Sequence, residues 1–219
     1  MAERDPCDPH FNVLEEINKT LLDQNKRPWR RRKSAYHPSA MSGCKRAIYY
    51  DRVGEEPKQN IQAPLRMLFG LGHAIHDFIQ GLLREDENFK AEVVAKYDAL
   101  NIYGSCDGVW SNKGWLLEIK TIGDSSFRTL VKPKKEHIRQ AHCYMKALDI
   151  PRTQLLYVNR DTGQMRLFRT HFDEDVWGWI EDVIEFVENH IKNKTAPPKE
   201  ESYFYCRSCK FAHVCKPVY

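Results

Sequence analysis

Four cysteines are divided between the two ends of the chain, and this division constrains the fold more than any other sequence feature. Cys44 lies in the first quarter of the 219 residues, whereas Cys206, Cys209 and Cys215 lie at the end. A C-x-x-C spacing brackets a tight turn and lets two thiolates bind one ion. If all four thiolates share a site, the two ends of the chain must meet. The spacing fits zinc as well as an iron-sulfur cluster, and His213 is a rival ligand that would favour zinc.

The rest of the composition is typical of one soluble domain. A chain of 219 residues can bury a sizeable core without splitting, and no apolar run approaches the roughly 20 residues that span a bilayer. The N-terminal residues resemble neither a secretory signal nor a transit peptide, so we expect a reducing cytoplasm and metal binding in preference to disulfides. Three further cysteines lack ligand spacing and are interpreted as isolated thiols: Cys7, Cys106 and Cys143.

The net charge of +4 is modest, but the basic residues are clustered. One run surrounds Trp29 within residues 26–33, and a second cluster contains Lys132, Lys134 and Lys135. Phosphate contacts combined with base stacking hold single strands without reading their sequence. The clusters are therefore compatible with a nucleic-acid partner, although a basic run is equally typical of a solvated face.

Hydrophobic periodicity predicts alternating helices and strands. Apolar spacing of three and four residues predicts helices in residues 1–25, 39–50, 65–83, 135–148 and 173–194, with Cys44 projecting from the second. Runs rich in β-branched and aromatic residues predict strands at 91–100, 102–110, 115–121, 153–159 and 165–171. This order predicts an α/β fold, a mixed central β-sheet flanked by helices. We divide this single domain into an N-terminal helical and basic segment (1–64), a core (65–172) and a C-terminal helix with the cysteine tail (173–219).

Two acidic residues and a lysine form a second candidate site. In a hairpin that turns near residue 113, Asp107 and Glu118 lie almost opposite one another, about 5 Å apart. Alternation along a strand places Lys120 on the same side as Glu118. Carboxylates are ligands for magnesium, the backbone carbonyl of Ile119 can add another, and the ammonium can stabilise charge on a phosphate. The alternative is a solvated ion pair, but unpaired carboxylates among apolar residues would be costly.

These segments resemble the RecB-like branch of the PD-(D/E)XK nuclease superfamily. The resemblance is carried by Gly104-Ser105-Cys106-Asp107-Gly108-Val109, Leu117-Glu118-Ile119-Lys120-Thr121, Gln140-x3-Tyr144 and Gly72-x3-His76. It implies a restriction-endonuclease-like core in which His76, Asp107 and Glu118 hold Mg²⁺ or Mn²⁺ and Lys120 assists catalysis. Gln140 and Tyr144, on one face of a helix, would position the DNA backbone or support the site. Cys106 stands where the family name expects proline.

The cysteines extend the resemblance to residues 39–215. Nucleases of the AddB type and the exonucleases of CRISPR systems and phages share one N-terminal and three C-terminal cysteines that bind a 4Fe-4S cluster. The resemblance thus implies a cluster on Cys44, Cys206, Cys209 and Cys215 that joins the chain ends. It implies a DNA exonuclease acting at single-stranded or free ends in recombination, repair, CRISPR adaptation or phage DNA processing, in the cytoplasm. The alternatives are a non-catalytic DNA-binding accessory subunit and a zinc-stabilised structural protein.

Overall fold

A computed structural model describes residues 12–24, 35–41, 43–58, 61–200, 206 and 209–215. Cys7 and the basic run around Trp29 lie outside these residues. The described part contains a five-stranded sheet in the order β1-β2-β3-β4-β5. Its strands are β1 (Phe89–Tyr97), β2 (Ile102–Trp110), β3 (Trp115–Ile122), β4 (Arg152–Asn159) and β5 (Met165–His171). Only β3 and β4 pair in parallel, because a helix crosses over between them. The prediction of a mixed sheet flanked by helices is confirmed.

Seven α-helices accompany the sheet in the described residues. Their bounds are α1 Val13–Asp23, α2 Lys45–Arg52, α3 Ala63–Leu83, α4 Asp124–Arg128, α5 Lys135–Leu148, α6 Glu174–Lys192 and α7 Ala212–Cys215. Asp173 caps α6, as predicted, by accepting the N–H groups of Asp175 and Val176. Within the described part of the chain, none of these helices has the length and apolarity needed to cross a membrane.

Two long helices cover the two faces of the sheet. On one face, Ala141 and Met145 of α5 pack with Leu116 and Leu155 of the central strands. On the other face, Ile79 of α3 packs with apolar residues of β1, β3 and β4: Phe89, Leu117, Ile119 and Val158. A third apolar cluster lies between α2 and α6 and includes Phe211 from the C-terminal segment. The central strands therefore run between α3 and α5, and side chains from both helices can reach the ends of those strands.

The side chains of β1 change from one face of the sheet to the other within the strand. Ala91 packs on the α3 side of the sheet, whereas Val93, two residues later, packs on the α5 side. The register between the strands is the same before and after this point, so no residue is inserted. Between them Glu92 has a φ of 52°, the left-handed conformation that L-residues rarely adopt. One residue in this conformation breaks the side-chain alternation opposite Asp107.

Three local predictions are corrected by the structure. The helix predicted over residues 39–50 begins only at Lys45, so Cys44 is its N-cap and does not project from the helix. A 3₁₀ turn over Pro38–Ala40 replaces the predicted first turn, because proline fixes the backbone there. The first strand spans Phe89–Tyr97 and ends in a 3₁₀ turn, since Asn101 leaves that turn with a φ of 50°. The short helix α4 was missed because five residues carry too little periodicity.

Candidate active site

The sheet opens between β2 and β3 at the two predicted carboxylates. Pairing between these strands stops at Gly108 and Leu117, whereas β3 stays paired with β4 as far as the end of β3. Asp107 and Glu118 are the next residues on their strands, and they flank the opening. Asp107 Oδ2 accepts the backbone N–H of Ile119 at 2.5 Å. The Asp107 carboxylate therefore accepts an N–H group of β3 that is no longer paired with the backbone of β2.

A chain of polar side chains leads from Glu118 to α5. Lys120 Nζ donates to Glu118 Oε1 at 2.6 Å and to Gln140 Oε1 at 2.9 Å. The amide nitrogen of Gln140 donates in turn to the hydroxyl of Tyr144 at 3.1 Å. Glu118 and Lys120 thus lie on the same side of β3, and Gln140 and Tyr144 share a face of α5, as the spacing of each pair predicted. Because Gln140 is held at both ends, it fixes the position of the lysine ammonium group.

His76 enters the site from α3, on the opposite side of the sheet. Its Nδ1 lies 3.2 Å from Asp107 Oδ1. One turn earlier, Gly72 lets the helix approach β3 closely, because a Cβ at this position would lie only 3.2 Å from Thr121 Oγ1. The Gly72-x3-His76 spacing therefore has a physical basis: the glycine brings the helix to the sheet, and the histidine follows on the same face. His73 is exposed on this helix.

Gln80 and Glu92, which the sequence analysis did not assign to the site, belong to the same network. Gln80 Nε2 donates to Glu92 Oε1 at 2.8 Å and to the backbone carbonyl of Asp107 at 2.9 Å. Ser105 donates to the other Glu92 oxygen at 2.9 Å. The available signal for Gln80 was its position four residues after His76, on the buried side of an amphipathic helix. Nothing in the sequence predicted the backbone conformation of Glu92. Its side chain is exposed, as expected of an acidic residue near the start of a strand, but it is hydrogen-bonded.

Burial perturbs the acidic and basic groups of the site. It raises the pKa of Glu118, while the positive charge of Lys120 opposes this rise and the negative charge of Asp107 adds to it. Burial would lower the pKa of His76, but its hydrogen bond and charge interaction with Asp107 outweigh burial and leave the pKa raised. Burial also raises the pKa of Tyr144, so that its hydroxyl stays protonated. Such perturbed groups cluster at functional sites.

The donor set fits a divalent cation in its chemistry. Among the residues that the structure describes, no set of three or more His, Cys, Asp and Glu side chains is positioned to hold a metal ion. Instead, Lys120 donates a hydrogen bond to Glu118 Oε1, and the Ile119 N–H group donates one to Asp107 Oδ2. Glu118 Oε2, however, is buried and has no hydrogen-bond partner. A buried carboxylate oxygen without a partner is costly, and a cation would satisfy it.

The cysteine region brings Cys44 and the C-terminal segment towards the same stretch of backbone. Cys206 Sγ lies 4.0 Å from the carbonyl oxygen of Glu200, and Cys44 also hydrogen-bonds to the Glu200 backbone. Cys209 Sγ accepts the backbone N–H of Phe211 at 3.4 Å. All four predicted ligands, including Cys215, are free and half-buried. Cys106 is buried in the apolar cluster between α5 and the sheet, whereas Cys143 is buried in the third apolar cluster, against which Cys209 and Cys215 also pack.

Ion pairs and backbone contacts attach the C-terminal segment to α2 and to the residues that follow it. Lys210 Nζ lies 3.1 Å from Asp51 Oδ1, and the Lys58 N–H donates to the Lys210 carbonyl at 2.8 Å. The ring of Phe211 is fully buried beside Tyr50. The fold therefore joins the two cysteine-bearing segments, but within the described residues no three of these cysteines are positioned to hold one metal ion.

Comparison with known proteins identifies the fold. No protein-family model and no curated protein matches the chain. Among solved structures, the protein SSO0001 is similar with a TM-score of 0.61 and 18% identity, over 94% of this chain and 96% of that one. LHK-Exo, an alkaline exonuclease from Laribacter hongkongensis, is similar with a TM-score of 0.56 and 16% identity, over 82% and 93%. The structure of LHK-Exo in complex with dAMP is similar with a TM-score of 0.56 and 15% identity. The chain therefore has a nuclease-like α/β fold that it shares with an alkaline exonuclease.

Proposed function

We propose that the chain is a metal-dependent DNA exonuclease of the RecB-like branch of the PD-(D/E)XK superfamily. The observation that carries this proposal is the buried Glu118, whose Oε2 lacks a partner while Oε1 bonds Lys120 beside Asp107. A solvated ion pair on a sheet would not need to bury a carboxylate in this way. The shared fold with an alkaline exonuclease is consistent with the proposal.

Each residue has a distinct role in this proposal. His76, Asp107, Glu118 and the Ile119 carbonyl would hold Mg²⁺ or Mn²⁺. When bound, such an ion polarises a phosphoryl oxygen and lowers the pKa of a coordinated water. Lys120, held by Gln140, places its ammonium where negative charge develops on the scissile phosphate. Tyr144 is buried, and its hydroxyl supports Gln140 by accepting a hydrogen bond from the amide nitrogen.

The proposed reaction is hydrolysis of a phosphodiester bond at a single-stranded end. A water oxygen forms a bond to phosphorus and the P–O3′ bond breaks, so that the products carry a 5′-phosphate and a 3′-hydroxyl. Pathways that require such a reaction are recombination, repair, CRISPR adaptation and phage DNA processing in the cytoplasm.

The test is hydrolysis of end-labelled single-stranded and double-stranded DNA with Mg²⁺ or Mn²⁺, with a circular single strand as the control for endonuclease activity. Asp107→Ala and Lys120→Ala should each lower the rate by about 10²-fold or more, the usual effect of removing a preorganised charged group. Asp98→Ala is the matched control, because Asp98 is an exposed carboxylate whose partner is Lys96. Full activity of both site variants would remove the catalytic assignment of Asp107 and Lys120, whereas an inactive wild-type protein that still binds DNA would favour the accessory-subunit alternative.

We also propose that Cys44, Cys206, Cys209 and Cys215 hold a 4Fe-4S cluster that clamps the two ends of the chain. The approach of two of these sulfurs to the Glu200 backbone supports this site. An N–H donor to a cysteine sulfur, as at Cys209, is among the contacts that tune such clusters. Metal-ligand binding contributes roughly 10 kcal/mol or more to folding when the unfolded chain has no site.

Zinc is the second candidate for this region, and a specific observation favours it. Within the part of the chain that the structure describes, His213 Nδ1 is buried without a hydrogen-bond partner, and a neutral imidazole is a common zinc ligand. Iron, sulfide and zinc analysis of anaerobically purified protein separates the two cases. Cys209→Ala should be colourless or insoluble if the cluster is present, whereas Cys106→Ala, a buried thiol in the separate apolar cluster between α5 and the sheet, should keep the colour. A coloured, folded Cys209→Ala protein would contradict the iron-sulfur proposal.

A further inference from the structure

The polar site continues from β3 onto the neighbouring strand. Lys120 on β3 is the register partner of Tyr157 on β4, and paired residues of adjacent strands point to the same face of a sheet. The ring of Tyr157 is fully buried against α5. Its hydroxyl reaches the start of that helix, where it accepts the backbone N–H of Lys134 at 3.0 Å and lies 2.7 Å from His137 Nδ1.

These contacts determine which nitrogen of His137 carries the proton. Within the described residues, the Tyr157 hydroxyl makes two hydrogen bonds, and in the first it accepts the Lys134 N–H. Its own proton then needs an acceptor, and His137 Nδ1 is the acceptor within reach. Burial raises the pKa of Tyr157 to about 12, so this proton is present at neutral pH. Nδ1 is therefore unprotonated, and Nε2 carries the ring proton.

His137 stays neutral although it lies close to several charged groups. Burial, together with the positive charges of Lys120 and Lys134, lowers the pKa of His137 to about 3. The ring packs on Tyr157, with centroids 5.4 Å apart, and is only partly buried. Nδ1 is held by the tyrosine, so the Nε2–H group on the other side of the ring has no protein partner among the described residues. A neutral N–H donor of fixed orientation beside lysines suits a phosphate oxygen.

The surroundings of His137 are predominantly basic. His137 lies in the first turn of α5, a helix of 14 residues whose N-terminal end carries partial positive charge. Lys132, Lys134 and Lys135 precede it, and Glu136 is the acidic residue in the same turn. The second basic cluster found in the sequence thus lies at the β4 side of the candidate active site.

We propose that His137 binds substrate, donating its Nε2–H to a non-bridging oxygen of the phosphate adjacent to the scissile one, while Tyr157 fixes the orientation of the ring. This inference rests on the proposed DNA-cleaving function. The adjacent phosphate is assigned because Tyr157 lies one strand, about 5 Å, beyond Lys120. The competing explanation is that the tyrosine and histidine only attach the start of α5 to β4.

The first test is the affinity for a fluorescein-labelled single-stranded oligonucleotide, measured by anisotropy in EDTA. His137→Ala should weaken binding about tenfold, the lower end for a hydrogen bond to a charged group. His137→Gln should retain most of the affinity, because its amide nitrogen can replace Nε2 as donor. His190→Ala is the matched control, since His190 is a half-buried helical histidine whose Nδ1 donates to the Phe186 carbonyl.

A second measurement separates a phosphate contact from a structural role. One methylphosphonate, which removes the charge of a single phosphate, is placed at successive positions of the oligonucleotide. At one position it should weaken binding by wild type about tenfold and binding by His137→Ala much less. Equal penalties in both proteins at every position would overturn the inference, as would wild-type affinity of His137→Ala. If His137→Ala does not fold, Tyr157→Phe replaces it, with a loss of about threefold expected.

Both measurements are made without hydrolysis, so they separate this inference from the proposed reaction. A wild-type protein that binds DNA with the predicted His137 dependence but does not cleave it would contradict the nuclease proposal alone. A protein that cleaves DNA but binds equally well without His137 would contradict the histidine contact alone.

Discussion

The carboxylate-lysine site and the cysteine region differ in how the fold holds them. At the first site, Asp107 and Glu118 lie on neighbouring strands, and α3 and α5 fix the groups around them. At the second site, Cys44 and three cysteines of a C-terminal segment are joined through Glu200, Lys210 and Phe211. Regular secondary structure therefore holds the side chains of the first site in fixed positions. The second set is held by few contacts, so its order depends more strongly on what the thiolates bind.

Preorganisation has a free-energy cost at the first site. Burial and the nearby Asp107 carboxylate both disfavour the charged form of Glu118, whereas the Lys120 ammonium and, to a smaller extent, the charge of His76 favour it. Glu92 adds a strained backbone angle in the same network, and strain of this kind costs about 1–3 kcal/mol per residue. Conflicts of this kind concentrate at functional sites, where other parts of the structure compensate for them.

Chelation should have the largest effect and should separate the two regions. EDTA removes a weakly held divalent ion, so we expect activity to fall by at least about 10³-fold. The free energy of unfolding should change by only about 1 kcal/mol. An ion whose concentration is near its Kd, or a few-fold above it, contributes little to stability. Activity is measured on end-labelled DNA, and stability by urea unfolding. A large loss of stability in EDTA would instead indicate a chelatable zinc ion in the cysteine region.

Phe211→Ala should have the next largest effect, and it tests the attachment of the cysteine region. Phe211 is fully buried against Tyr50, and truncation of such a ring costs about 3–5 kcal/mol. We expect loss of the metal or cluster together with this destabilisation, measured by elemental analysis and urea unfolding. Phe78→Ala is the control, because Phe78 is 68% exposed. Retention of full stability by Phe211→Ala would show that the segment does not depend on this contact.

Gln80→Leu should have a smaller effect, confined to the carboxylate-lysine site. The substitution preserves volume but leaves the Asp107 carbonyl and Glu92 without their shared donor. Such losses cost about 1–3 kcal/mol, measurable as a lower urea midpoint. Gln164→Leu, at an exposed position of the β4–β5 turn, should change stability by less than about 0.5 kcal/mol. Equal midpoints for the two variants would mean that Gln80 does not stabilise the site.

The smallest predicted effect is a dependence on pH at the base of α6, the helix that leads to the cysteine region. Burial lowers the pKa of His142, despite its hydrogen bond to Ile138 and the charge of Asp173. Its Nε2 accepts the Asp173 N–H at 3.1 Å, so the folded state holds the neutral ring. Below pH 6.5 the unfolded chain takes up a proton that the folded chain does not, and stability falls as pH falls.

The contribution of His142 to this slope is at most about 1.4 kcal/mol per pH unit. His142→Gln, which stays neutral, should flatten the pH dependence of the free energy of unfolding below pH 6.5. His190→Gln serves as the control, because no such neutral acceptor role exists at that position. Parallel pH profiles for wild type and His142→Gln would contradict the assignment.

Much of the fold was predictable because local patterns agreed with the tertiary structure. The strand Ile102–Trp110 and the helix Lys135–Leu148 have the predicted bounds, since each has a clear period and a turn at both ends. Cys44 was placed on a helix because the apolar pattern extended upstream of Lys45, where the chain instead forms a 3₁₀ turn. The change of side-chain face at Glu92 in β1 was not predictable, because alternation along a strand assumes an extended backbone throughout.

The candidate site likewise contains some contacts that were predictable from the sequence and others that were not. The spacing of Glu118 and Lys120 and that of Gln140 and Tyr144 predicted two contacts, because residues two apart on a strand and four apart on a helix share a face. Contacts between distant segments, such as that of Gln80 with Glu92, required the structure. The same is true of His137, whose proton position follows from a tyrosine 20 residues away.

The order of helices and strands and the types of donor available at each end of the chain follow from the amino-acid sequence, because period and residue chemistry are local properties. The folded structure was needed to show that β2 and β3 separate at Asp107, that Glu118 is buried beside Lys120 with one oxygen unpaired within the described residues, and that Tyr157 orients His137. The physical reason is that burial and hydrogen-bond partners depend on segments distant in sequence. Those contacts set which groups are charged and where their protons lie.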